Sequence, residues 1–113
     1  MGIVVGIDIG GSTTKIVGLQ EEQSFSPLQV KATDPVASVY GKFMSVNGFE
    51  IGDIERVMVT GVGSSFIKKR IFGISTGKID EFLAIGLGGQ RLSHRENAII
   101  VSMGTGTAYV RAK

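Results

Sequence analysis

The chain is 113 residues long, 42% apolar and 19% charged, the balance of one globular domain with a modest core rather than of a disordered segment. Twelve basic and ten acidic side chains are well mixed and sum to +2, so no basic face is left for nucleic acid, and the lack of cysteine excludes disulfides, thiolate metal sites and a cysteine nucleophile. The opening MGIVVGIDIGG has no basic flank and too short an apolar run for a signal or a membrane span, and Gly6 breaks the myristoylation pattern, so a cytoplasmic protein without membrane partners is expected.

Ile3 to Ile9 is β-rich and apolar, broken only by Asp8. Gly10-Gly11-Ser12 reads as a turn and Thr13 to Leu19 as a returning strand, together a β-hairpin. Ser26 to Ala32 suits a third strand, held to an edge by Pro27. A helix starts at the cap Asp34-Pro35, carries one apolar stripe through Val36, Val39, Tyr40, Phe43 and Met44, and stops at Asn47-Gly48. Arg56 to Thr60 is a short strand, Gly61 to Ser64 a loop, Ser65 to Ile71 a short helix ended by Gly73, and Ile74 to Ile79 another strand. Lys68-Lys69-Arg70 then complements that helix's C-terminus. Asp80 to Leu92 reads as a helix despite Gly86, Gly88 and Gly89, each costing about 1 kcal/mol relative to Ala, so its small face should pack tightly against another backbone. Asn97 to Met103, the turn Gly104 to Gly106 and Thr107 to Arg111 form a second hairpin. The order predicts a mixed α/β domain, with both glycine hairpins in one sheet and their turns on the same edge.

Seventeen glycines, about twice the usual ~7%, cluster where a backbone could approach a ligand or another backbone. In Asp8-Ile9-Gly10-Gly11-Ser12-Thr13-Thr14-Lys15, a carboxylate in an apolar strand sits beside a turn rich in N–H and O–H donors. A nucleoside triphosphate needs those donors, a carboxylate for Mg²⁺ and a lysine such as Lys15 for the terminal phosphate. The plainer alternative is an ordinary hairpin whose aspartate caps its own loop. Ser102-Met103-Gly104-Thr105-Gly106-Thr107 repeats the strand–turn–strand design, and it is not a Walker P-loop. Glu81, at a helix start, suits a base toward an alcohol or merely complements the helix dipole. His94 lies in a polar loop and Ser64-Ser65 suits a helix cap.

The segments GIDIGGSTTKIVG, VTGVG, DEFLAIGLGG and IVSMGTGTAYV, in this order, resemble type II (eukaryotic-like) pantothenate kinases, with weak correspondence from residue 20 to 55. The resemblance implies a ribonuclease H-like (actin-like ATPase) α/β lobe, a mixed β-sheet with flanking helices. It implies ATP and Mg²⁺ as cofactors, pantothenate as substrate and a homodimer that starts coenzyme A synthesis. It further implies Glu81 as general base, Asp8 on the metal, and Gly10, Gly11, Ser12, Thr13, Lys15, Gly104, Thr105, Gly106 and Thr107 around the nucleotide. Such kinases are more than twice this long, so residues 1–113 are expected to be the N-terminal phosphate-binding lobe, with the second lobe following Lys113. Activators of 2-hydroxyacyl-CoA dehydratases share the opening motif but hold an iron–sulfur cluster through cysteines. Sugar kinases of the superfamily use an aspartate base in a different setting. A non-catalytic actin-like interaction module is the remaining alternative.

Overall fold

The computed structural model describes residues 2–21, 23–25, 27–31, 36–61, 70–71, 74–103 and 107–113. They belong to two compact units, Met1–Lys78 and Ile79–Lys113.

In the first unit, β1 (Ile3–Ile9) turns back antiparallel into β2 (Thr13–Gln20), with Val4 opposite Leu19 and Ile9 opposite Thr14. On its other side β1 runs parallel to β5 (Ile54–Thr60). Beyond β5 lie β7 (Ile74–Lys78), parallel to it, and β6 (Arg70–Ile71), antiparallel to β7. Two short strands, β3 (Gln23–Ser24) and β4 (Leu28–Lys31), share the outer edge of β2. The result is a mixed seven-stranded sheet. Parallel neighbours need a crossover connection, and between β1 and β5 it contains the helix α1 (Val36–Asn47).

Strand alternation decides which face is core. Ile3, Val5, Ile7 and Ile9 are buried while the residues between them are only half-buried. Ile16, Val57 and Val59 join the same cluster, and Phe43 of α1 enters it. Gly18 lets the Phe43 ring close on the sheet, since a Cβ there would lie 3.1 Å from it. Phe25 and Phe49 extend the cluster, with ring centroids 5.2 Å apart and Phe43 edge-on to Phe49 at 5.6 Å. The helix stops where its sequence says it should: Gly48 has φ +73° and its N–H donates to the Met44 carbonyl at 2.8 Å. The expected cap Asp34-Pro35 and the side chains of Val36, Val39 and Tyr40 lie outside the described residues.

Two expectations change in this unit, and two elements are added. β5 begins at Ile54 rather than Arg56, because Ile54 pairs with Ile3 ahead of a register shift. Of the helix expected over Ser65 to Ile71, residues 65–69 lie outside the described residues, as do residues 62–64 of the loop before it. Arg70 and Ile71 are strand, paired antiparallel with Ser75 and Ile74. The short β3 and a 3₁₀ turn at Ile51–Asp53 had no periodic signal to reveal them.

In the second unit, α2 (Glu81–Ser93) packs on a hairpin of β8 (Ala98–Met103) and β9 (Thr107–Ala112). Asp80 caps the helix, its carboxylate accepting from the Leu83 N–H at 3.1 Å. His94 ends it at φ 57°, a left-handed C-cap rather than an ordinary loop residue. The small face of α2 is real, but it meets side chains rather than backbone. A Cβ on Gly86 would lie 3.3 Å from Val110, and one on Gly89 would overlap Ile100. The two glycine hairpins do not share a sheet: β8 and β9 pair with each other in a two-stranded sheet of their own.

Candidate functional site

The first hairpin brings its polar residues together through register alone. The Gly10 N–H donates to the Thr13 carbonyl at 2.9 Å, which closes the turn and leaves Gly11 and Ser12 exposed. Asp8 stands on the face opposite the apolar core and pairs across strands with Lys15. The Lys15 Nζ lies 3.8 Å from Asp8 Oδ2, with the two side chains 49% and 35% exposed. A pair this open is screened and contributes about 0–1 kcal/mol, so it does little to hold the hairpin. The other carboxylate oxygen, Oδ1, is buried and has no hydrogen-bond partner among the described residues. Leaving such an acceptor unpaired costs about 1–3 kcal/mol, and a bound water, cation or donor would offset that cost.

The parallel register adds two residues of the VTGVG segment to which sequence analysis gave no role. Thr60, the last residue of β5, stands beside Asp8 on the same face, and its Oγ1 is likewise buried and unpaired among the described residues. Gly61 follows with φ +95°, a left-handed conformation that suits glycine. A Cβ there would lie 2.6 Å from Asp8 Oδ1 and would overlap the Ile9 carbonyl oxygen. The sequence signal for this corner was the VTGVG segment, a glycine cluster directly after an apolar strand. Thr14 carries a third unpaired hydroxyl, 1% exposed, but it faces the core side of β2 and not this corner.

Among the described residues no three His, Cys, Asp or Glu side chains gather around one point. A divalent cation at Asp8 would be held by that carboxylate together with its own waters, in keeping with Mg²⁺, which binds through one or two carboxylates and keeps several waters. The buried, unpaired Oδ1 fits that role.

The remaining candidates belong to the second unit. Glu81 opens α2 directly after the capping Asp80 and is exposed. Thr107 opens β9 opposite Met103 and is exposed, while Gly104, Thr105 and Gly106 lie outside the described residues. Asp8, Gly10, Gly11, Ser12, Thr13 and Lys15 are thus gathered on one hairpin of the first unit. A groove of about 350 Å³ within the second unit, lined mainly by Phe82, Leu83, Leu87 and Val110, touches none of the candidates. Among the described residues no helix is long and apolar enough to cross a membrane.

No protein-family model matches the sequence, and no curated protein does. Solved structures do match the fold. Component A of the (R)-2-hydroxyglutaryl-CoA dehydratase of Acidaminococcus fermentans superposes with a TM-score of 0.72 at 15% identity, over 97% of this chain and 43% of that one. The activator of the 2-hydroxyisocaproyl-CoA dehydratase from Clostridium difficile, solved with bound ADPNP, gives 0.68 at 18% identity, over 96% and 46%. The ROK hexokinase of Thermus thermophilus gives 0.67 at 15%, over 97% and 45%. The chain therefore has the actin-like ATPase fold, and it spans less than half the length of these structures.

Proposed function

We propose that this chain is the phosphate-binding part of an ATP-dependent phosphotransferase whose acceptor is the primary hydroxyl of pantothenate. The observation that carries the reading is the first hairpin: Lys15 flanks one oxygen of Asp8 while the other is buried and unpaired. That oxygen suits Mg²⁺, and Lys15 together with the N–H and O–H donors of Gly10 to Thr13 suits phosphate oxygens. Gly104 to Thr107 would form the second phosphate loop. Bound ATP–Mg²⁺ supplies the transferable phosphoryl group and neutralises its charge.

Glu81 is the proposed general base, taking the proton from the acceptor hydroxyl as the oxygen attacks. It stands exposed in the first turn of α2, within reach of an acceptor in solution. The motifs shared with type II pantothenate kinases support the choice of acceptor, and a homodimer belongs to the same reading.

The test is phosphoryl transfer from ATP to pantothenate by the natural polypeptide that contains this chain. Glu81→Gln should lower kcat by roughly 10²–10⁴-fold with little change in the KM for ATP, since it keeps the shape but not the proton acceptance. Asp8→Asn should disturb nucleotide handling as well. Near-normal turnover by folded Glu81→Gln protein would reject the base assignment and move attention to Asp80.

The likeness to the two dehydratase-system proteins favours a second reading, an activator ATPase of that kind. Loss of ATP without a phosphorylated pantothenate product would select it.

A further inference from the structure

We propose that Thr60 and Gly61 complete the Asp8 corner as a binding site for a hydrated divalent cation, the Thr60 hydroxyl accepting a hydrogen bond from a cation-bound water. The inference rests on the reading of Asp8 as the carboxylate that faces the cation. Its own support is a pair of buried polar atoms, Asp8 Oδ1 and Thr60 Oγ1, both without partners among the described residues. They stand on adjacent parallel strands, in register and on one face of the sheet. Both lie at the carboxyl ends of those strands, where ligands of open α/β sheets bind.

The two atoms differ in what they offer. Ionised, the aspartate can only accept, whereas the hydroxyl can accept and donate. Neither partners the other, so a third group that donates to both would satisfy the corner. A water-clad cation does this, because its inner waters are donors with nothing to accept. Mg²⁺ keeps several waters and asks for only one or two carboxylates. Among the described residues no cluster of acidic side chains competes with this arrangement.

Gly61 lets the chain pass directly against the corner. Its φ of +95° turns the chain away at the end of β5, and a Cβ would press to within 2.6 Å of Asp8 Oδ1. A side chain here would collide with the Ile9 carbonyl and push the Asp8 carboxylate out of its place beside Thr60.

Mn²⁺ alone is the probe, since it shares the octahedral, oxygen-rich preference of Mg²⁺ and is paramagnetic. Free Mn²⁺ is followed by electron paramagnetic resonance on the 113-residue chain, and line broadening of the Gly10 and Gly61 amides locates the bound ion. Thr60→Val should weaken Mn²⁺ association roughly tenfold, in line with loss of a charge-assisted hydrogen bond. Thr60→Ser should stay within about twofold of the parent. The valine variant should also melt at a higher temperature, because it removes a buried hydroxyl that has no partner in the ion-free protein. Gly61→Ala should weaken association too.

Far-UV circular dichroism checks that each variant is folded. Loss of Mn²⁺ in Asp8→Asn with parent-like binding in Thr60→Val overturns this inference and leaves the Asp8 reading in place. Serine as weak as valine also overturns it, since the methyl group and not the hydroxyl would then matter. Parent-like binding in Asp8→Asn, or no association by the parent, overturns both readings.

Discussion

Residues 2–78 and residues 79–113 treat their apolar side chains in opposite ways. Among its described residues the first unit gathers ten buried hydrophobic side chains, Phe43 included, on and against the central strands. In the second, only Gly86 and Ala112 are buried among the described residues, while Phe82, Leu83, Leu87, Ile99, Met103 and Tyr109 are each more than half exposed. One helix can cover only one face of a two-stranded sheet, and an isolated hairpin is marginal in water. The second unit therefore leans on local devices: the Asp80 cap, the left-handed end at His94 and the seat of Gly86 and Gly89 on the hairpin. The difference bears on function. Asp8 and Lys15 stand on a well-packed scaffold, whereas Glu81 stands on an element with little buried area to fix it.

Substitutions can break or sharpen that contrast. Phe43→Ala removes the largest fully buried side chain of the first unit and should cost about 3–5 kcal/mol in urea unfolding. A cost below about 1 kcal/mol would show that the first unit is not the stable body. Gly89→Ala should come next. Crowding against the stiff, β-branched Ile100 costs about 1–3 kcal/mol, and better helix propensity offsets about 1 kcal/mol of it. Hydrogen exchange should then quicken in α2 and the β8–β9 hairpin while β1 and β5 keep their protection. Equal loosening of both units would contradict their separate packing. The smallest effect is expected for Leu92→Ala, whose side chain is 84% exposed and whose change should stay within about 0.5 kcal/mol. A larger loss there would mean that Leu92 is covered in solution.

Much of this architecture was legible in the residues. The hairpin from Ile3 to Gln20 follows from β-rich runs around Gly10-Gly11, and the end of α1 follows from Asn47-Gly48. The glycines of α2 marked a tight contact, although not what it touched. Arg70 and Ile71 were misread because a basic run before an apolar residue suits a helix end as well as a strand, and only pairing with Ile74 and Ser75 decides. The corner at Thr60 was half legible, since VTGVG stood out as a segment but its place beside Asp8 did not. A threonine ending a strand looks like ordinary β propensity, and its neighbour Asp8 is supplied by parallel register from far away in the sequence. Which carboxylate oxygen lacks a partner is likewise a matter of tertiary placement.

That register also fixes an order of assembly. The turn joining β1 to β2 is local, and hairpins of this kind close on a timescale of about 1–10 μs. The partnership of Asp8 with Thr60 spans the whole of α1 and must wait until the intervening chain has looped back, a slower event governed by contact separation. Until that closure the hairpin carrying Asp8 and Lys15 is an isolated pair of strands, marginal in water. For an interval during folding the carboxylate stands in open water, able to exchange ions freely, and the closing of β5 against β1 is the step that turns a solvated acid into a confined one.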